Sequence, residues 1–177
     1  MDIAQNFFEL FGLDTSFDLD LQLLSERYRE LQREHHPDRH AHKGEREQRL
    51  AVQATAHLNE AFETLKTPLL RAQYLLKLEG VDTGEENRRQ LPGPFLMQQM
   101  ELRESLVEAA SGQDPFEALD KLAVEAKGLE AAEYSQFNAA LVAQELDSAE
   151  ISIRKLQFIN KLIREIEAAE DRLDEEY

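Results

Sequence analysis

Cysteine is absent from this 177-residue chain, which excludes disulfides, zinc–thiolate sites and thiol catalysis. Positive charge is scarce. Lys and Arg number 20 against 36 Asp and Glu, a formal net charge of −16. Phosphate binding needs a basic footprint, so nucleic acid is excluded as an expected partner. No stretch approaches the roughly 18 consecutive apolar residues of a membrane span, and no membrane contact is expected. Met1-Asp2-Ile3-Ala4 carries no basic segment leading into an apolar one, so no signal peptide is expected and the expected compartment is the cytoplasm. Glycine (7) and proline (5) are few and fall mostly between periodic runs; strand-like alternation appears nowhere. These absences leave an all-α protein, long enough to bury a real core in one or two domains.

Apolar spacing divides the first half into four helices. Ile3, Phe7, Phe8 and Phe11 share one face of a short helix ending near Gly12, a suitable C′ residue. Leu21, Leu24, Tyr28, Leu31 and His35 form the stripe of a second, with Asp18 as its expected N-cap and Asp20 as favourable first-turn charge. A third runs from about Glu47 to Lys66, with Leu50, Ala54, Leu58, Ala61, Phe62 and Leu65 on one side, and stops at Thr67-Pro68. Arg71 to Leu78 gives a short fourth. Glycine, proline and charge then concentrate between Gly80 and Pro94, marking a linker. Beyond it, Phe95 to about Ala110 is helical. A helix opening at Asp114-Pro115 either continues or breaks near Gly128 before running to Leu146, and a last helix spans about Ser148 to Leu173. Short connections make this half a three-helix bundle.

Charge is uneven across that division. Residues 1–79 hold 14 acidic and 10 basic side chains, residues 80–177 hold 22 and 10. The basic minority of the first half is clustered, with Arg27, Arg29, Arg33 and Arg39 inside 13 residues. One basic patch on an acidic protein suits docking to an acidic protein surface.

Between the second and third helices stands His35-His36-Pro37-Asp38. Pro37 cannot continue a helix and pushes His36 out of the α region, so the second helix ends there. Two antiparallel helices with His-Pro-Asp at the tip of their loop resemble the J-domain, the module that activates the ATPase of DnaK-type chaperones. The chain has His35 where J-domains generally carry an aromatic, and His40 where they often carry phenylalanine, which bears on how the loop is anchored.

Three further runs, Pro68 to Leu76, Phe95 to Glu104 and Arg154 to Leu162, look like the HscB family, the J-type co-chaperones of bacterial iron–sulfur cluster assembly. The resemblance covers nearly the whole chain in the family's order, and neither a Gly/Phe-rich linker nor a Cys-x-x-Cys module is present. It implies a J-domain at 1–79, a linker at 80–94 and a scaffold-binding bundle at 95–177. It implies that His36, Pro37 and Asp38, with Arg27, Arg33 and Arg39, contact the DnaK-type ATPase HscA. It also implies that Leu96, Met97, Met100, Glu101, Glu104 and Phe158 bind the scaffold protein IscU. Met100 stands where leucine is usual, a change of similar volume.

Helical geometry bears on the second set independently. With Phe95 at zero and about 100° per residue, Leu102, Leu106 and Ala109 stay within about 40° of it, a core stripe. Leu96, Met100 and Val107 gather at about 100–140°, followed by Met97 and Glu104 near 180–200°. Phe158 lies off the centre of the stripe formed by Leu156, Ile159, Leu162, Ile163 and Ile166. Taken singly, a second apolar face ordinarily packs on the third helix, and an arginine cluster is ordinarily a solvated face paired to Glu26 and Glu30. The remaining alternative is a helical adaptor with a weak metal site at His35, His36, Asp38, His40 and His42. No base–nucleophile arrangement appears, so neither enzymatic activity nor a cofactor is expected.

Overall fold

The computed structural model describes residues 5–35, 44–84 and 90–176, and every regular element among them is an α-helix. The chain divides into two compact units, Met1–Leu78 and Glu79–Tyr177.

In the first unit, α1 (Phe7–Phe11) opens on a capping box. The Asn6 side-chain oxygen accepts from the Glu9 N–H, and Asn6 N donates to the Glu9 carboxylate, both at 2.9 Å. Gly12 closes the helix at φ 63°, a left-handed conformation that favours glycine. Ile3, assigned to this helix from spacing, lies outside the described residues. α2 (Leu21–His35) is capped by Asp20, not by the expected Asp18. The Asp20 carboxylate accepts from Gln22 N at 2.9 Å and Leu23 N at 3.0 Å. Only the residue immediately before the first turn can reach those donors.

α3 (Glu45–Lys66) runs antiparallel to α2. Tyr28 stacks on Phe62 and donates to Asn59, while the His35 carbonyl accepts from Thr55 Oγ1. Leu24, Leu58, Ala61 and Leu65 are fully buried between these helices and α1. Leu50, expected in that stripe, is 55% exposed, and Ala51 is buried instead. Ala51 lies two turns from Leu58 and only about 20° round the helix, whereas Leu50 lies about 80° away.

α4 (Pro68–Leu78) begins three residues earlier than the expected Arg71. Thr67 alone separates it from α3, in extended conformation, and Pro68 occupies a first-turn position where no N–H is needed. Buried Arg71 donates from Nη1 to the Leu65 carbonyl at 2.7 Å and lies over the Phe17 ring. Tyr74 stacks on Phe7 at 4.4 Å, and its hydroxyl accepts the Phe7 N–H at 3.0 Å.

The second unit is built from α5 (Gly93–Ser111), α6 (Pro115–Val142) and α7 (Leu146–Glu176). Asp114 caps α6, accepting from Glu117 N. α6 passes through Gly128 without a break; a Cβ there would meet nothing within 4 Å, so the glycine costs the helix about 1 kcal/mol of propensity but no packing. The helix stops at Val142, short of the expected Leu146, because Gln144 turns to φ 60°. α7 begins two residues before the expected Ser148 and runs past Leu173. Leu102, Leu122, Ala126, Ile159, Leu162, Ile163 and Ile166 form the main core, continued by Ala109, Leu119 and Ala169. Each fully buried leucine or isoleucine contributes about 1.5–3 kcal/mol of transfer free energy.

Candidate partner-binding surfaces

Arg27 and Arg33 stand on the exposed side of α2. Arg27 pairs with Glu30 at 3.3 Å across half-exposed side chains. Such a pair contributes less than about 1 kcal/mol, so an acidic partner can displace it at little cost. Arg29 and Arg33 donate from Nε to the carbonyls one turn back, Ser25 and Arg29, both at 3.1 Å. His36, Pro37, Asp38, Arg39, His40 and His42 lie outside the described residues. The approach to them is described: Thr55 of α3 donates to both the Ala51 and His35 carbonyls, at 2.9 and 3.3 Å, which ties the end of α2 to its partner helix. That hydroxyl, 20 residues away in sequence, was not singled out from the sequence. Among the described residues no three histidine or carboxylate groups converge as metal ligands.

The second surface lies on α5. Leu102 and Ala109 face the core, and Phe95 and Leu106 are packed against it, partly buried. The other apolar face is open. Leu96 is 40% exposed, Met97 64%, Met100 65% and Val107 70%, and Glu101 and Glu104 are exposed beside them. Among the described residues, no third helix covers this face. Phe158 on α7 is 38% exposed and meets Phe95, the neighbour of Leu96, with ring centroids 6.4 Å apart and planes at 88°. The structure therefore gathers Leu96, Met97, Met100, Glu101 and Glu104 along one side of α5 and brings Phe158 to the start of that helix.

An all-α chain with a J-type helical hairpin followed by a long-helix bundle has the build of a J-type co-chaperone. Comparison with known proteins agrees. Residues 91–167 match the family described as the HSCB C-terminal oligomerisation domain. The co-chaperone protein HscB homolog of Shewanella loihica is 46% identical over 171 residues, covering 95% of this chain and 99% of the relative. Chaperone HscB from Vibrio cholerae superposes with a TM-score of 0.86 at 42% identity, over 96% of this chain and 99% of that one. Human co-chaperone protein HscB gives a TM-score of 0.88 at 26% identity, over 96% and 84%. The chain belongs to the HscB family of J-type co-chaperones of iron–sulfur cluster assembly.

Proposed function

We propose that the chain captures the iron–sulfur scaffold IscU on the bundle of residues 95–177 and delivers it to the DnaK-type chaperone HscA. It then stimulates HscA hydrolysis through the J-domain of residues 1–79, across the 80–94 linker. The open face of α5 is the observation that carries the reading. Four large apolar side chains spread along α5, Leu96, Met97, Met100 and Val107, edged by Glu101 and Glu104, are left uncovered where a bundle helix ordinarily buries its second face. Leu96, Met97, Met100 and Phe158 supply the desolvated centre of the interface and the two carboxylates its polar rim. In the J-domain, His36, Pro37 and Asp38 contact HscA together with Arg27, Arg33 and Arg39. Binding energy there biases HscA between its nucleotide states only to the extent that the contact differs between them.

The decisive measurement is HscA ATPase rate against concentration of this protein, with and without IscU. His36→Gln should remove stimulation and leave IscU binding intact. Phe158→Ala should do the reverse, keeping scaffold-independent stimulation and losing the added effect of IscU. Full stimulation by the His36 variant would overturn the J-domain half of the reading.

A further inference from the structure

The first turn of α5 carries Leu96 and Met97. A groove of about 700 Å³ opens beside it, lined by Phe95, Met97, Leu129 and Ile159 together with Glu133 and Lys155. Phe95 anchors this turn, packed partly buried against the core cluster that includes Leu102, Ile159 and Leu162. On the α7 side its ring meets two residues one helical turn apart. Lys155 Nζ lies 5.8 Å from the ring centroid, and the Phe158 ring stands perpendicular at 6.4 Å.

Lys155 is itself fixed. Both carboxylate oxygens of Glu133, on α6, accept from its ammonium at 3.2 and 3.3 Å. Glu133 is 7% exposed and the Lys155 side chain 19%. A pair this enclosed loses in desolvation much of what it gains in attraction, so bulk stability does not account for it. Its geometric effect is specific. An unclamped lysine would extend its ammonium to water, away from the ring. Held by Glu133, the cation stays within the roughly 6 Å over which an aromatic face attracts it. Phe95 already lines the groove, so without the cation its ring has room to turn further into it, and its departure would leave Phe158 without the ring it leans on.

We infer that Lys155, clamped by Glu133, is a positioning residue for the scaffold-binding surface: it holds Phe95 against α7 and so sets the exposed pose of Phe158 beside Leu96 and Met97. The inference rests on the scaffold-binding reading above and assigns Lys155 no contact with the partner.

The test uses the full chain, IscU binding by titration calorimetry, and thermal melts. Lys155→Met keeps the length of the stem and removes the cation. It should weaken binding about five- to tenfold, as loss of a partly desolvated cation–π contact implies. It should also lower the melting temperature, because Glu133 is left buried without its cation. Adding Glu133→Gln should recover the melting temperature but not the affinity. Glu133→Gln should weaken binding in the same direction, and Lys155→Arg should restore most of the affinity. In a Phe158→Ala background Lys155→Met should cost only about twofold, while in a Val107→Ala background it should cost its full amount. Equal cost in both backgrounds, or parental binding by Lys155→Met alongside weak binding by Phe158→Ala, overturns the positioning role alone. Parental binding by Phe158→Ala overturns the scaffold-binding reading and this inference with it.

Discussion

The two units use their aromatic residues in opposite ways. In the first, rings close the core: Phe8, Phe11 and Phe17 are buried, Phe7 stacks on Tyr74, and Tyr28 stacks on Phe62. In the second, the core is leucine, isoleucine and alanine with Phe137, while Phe116 and Phe158 are exposed and Phe95 is only partly buried. The difference follows from helix length. Helices of 5, 15, 22 and 11 residues give the first unit few inward positions, so each must supply much apolar area. Helices of 19, 28 and 31 residues close a core mainly with aliphatic side chains. Large residues are then left at the surface.

That contrast breaks most readily at inward rings. Phe8→Ala, in the small unit, should cost about 3–5 kcal/mol, and Leu102→Ala, in the bundle, about 2–5 kcal/mol. Two units need not unfold together, so hydrogen exchange resolved by unit is the right measure. Each variant should lose protection in its own unit. Phe158→Ala and Leu96→Ala should leave protection of the bundle nearly unchanged and weaken scaffold binding, by about 2 kcal/mol for the aromatic. A Phe158 variant that loses protection and binds normally would place that ring in the core and erase the contrast.

The smallest expected effect is electrostatic. Partial burial, with help from neighbouring Glu167 and against the pull of Lys127, holds the Glu130 carboxyl above its usual range. A raised carboxyl binds its proton more tightly in the folded chain than in the unfolded one. Stability therefore falls as pH climbs through the shifted value. Glu130→Gln should raise the melting temperature slightly at neutral pH and change nothing in acid, where the carboxyl is protonated in both states. A fall at neutral pH would mean that its attraction to Lys127 outweighs its burial.

Periodicity made much of this legible. The α7 stripe from Leu156 to Ile166 and the two faces of α5 follow from the 3.6-residue repeat, and the structure buries and exposes them accordingly. Where several residues could fill one local role, spacing chose badly. Asp18 and Asp20 are both good caps, and Leu50 and Ala51 are both apolar; position within the turn decides. Gly128 gave no answer because an exposed helical glycine and a helix break look alike in sequence. Pairings across the fold left no signal at all. Thr55 with the His35 carbonyl, Arg71 with the Leu65 carbonyl and Lys155 with Glu133 obey no repeat. The roles of the His-Pro-Asp loop and of the α5 residues came from resemblance. Geometry added which apolar residues of α5 lie off its core stripe.

Tyr74 gives this chain a built-in optical reporter. The protein has no tryptophan and four tyrosines, so its near-ultraviolet absorbance is dominated by phenols. The Tyr74 hydroxyl sits at the start of α1, stacked on Phe7, and burial pushes its ionisation above the ordinary phenol value, reinforced by Glu9 and Glu60 against the Phe7 N–H bond. In an alkaline titration its phenolate should therefore appear above the ordinary phenol range and together with loosening of α1 and α4, since a raised phenol pKa withdraws stability as pH rises through it. Tyr74→Phe should delete that component of the absorbance change, turning one phenol into a colour reading of whether the first unit is closed.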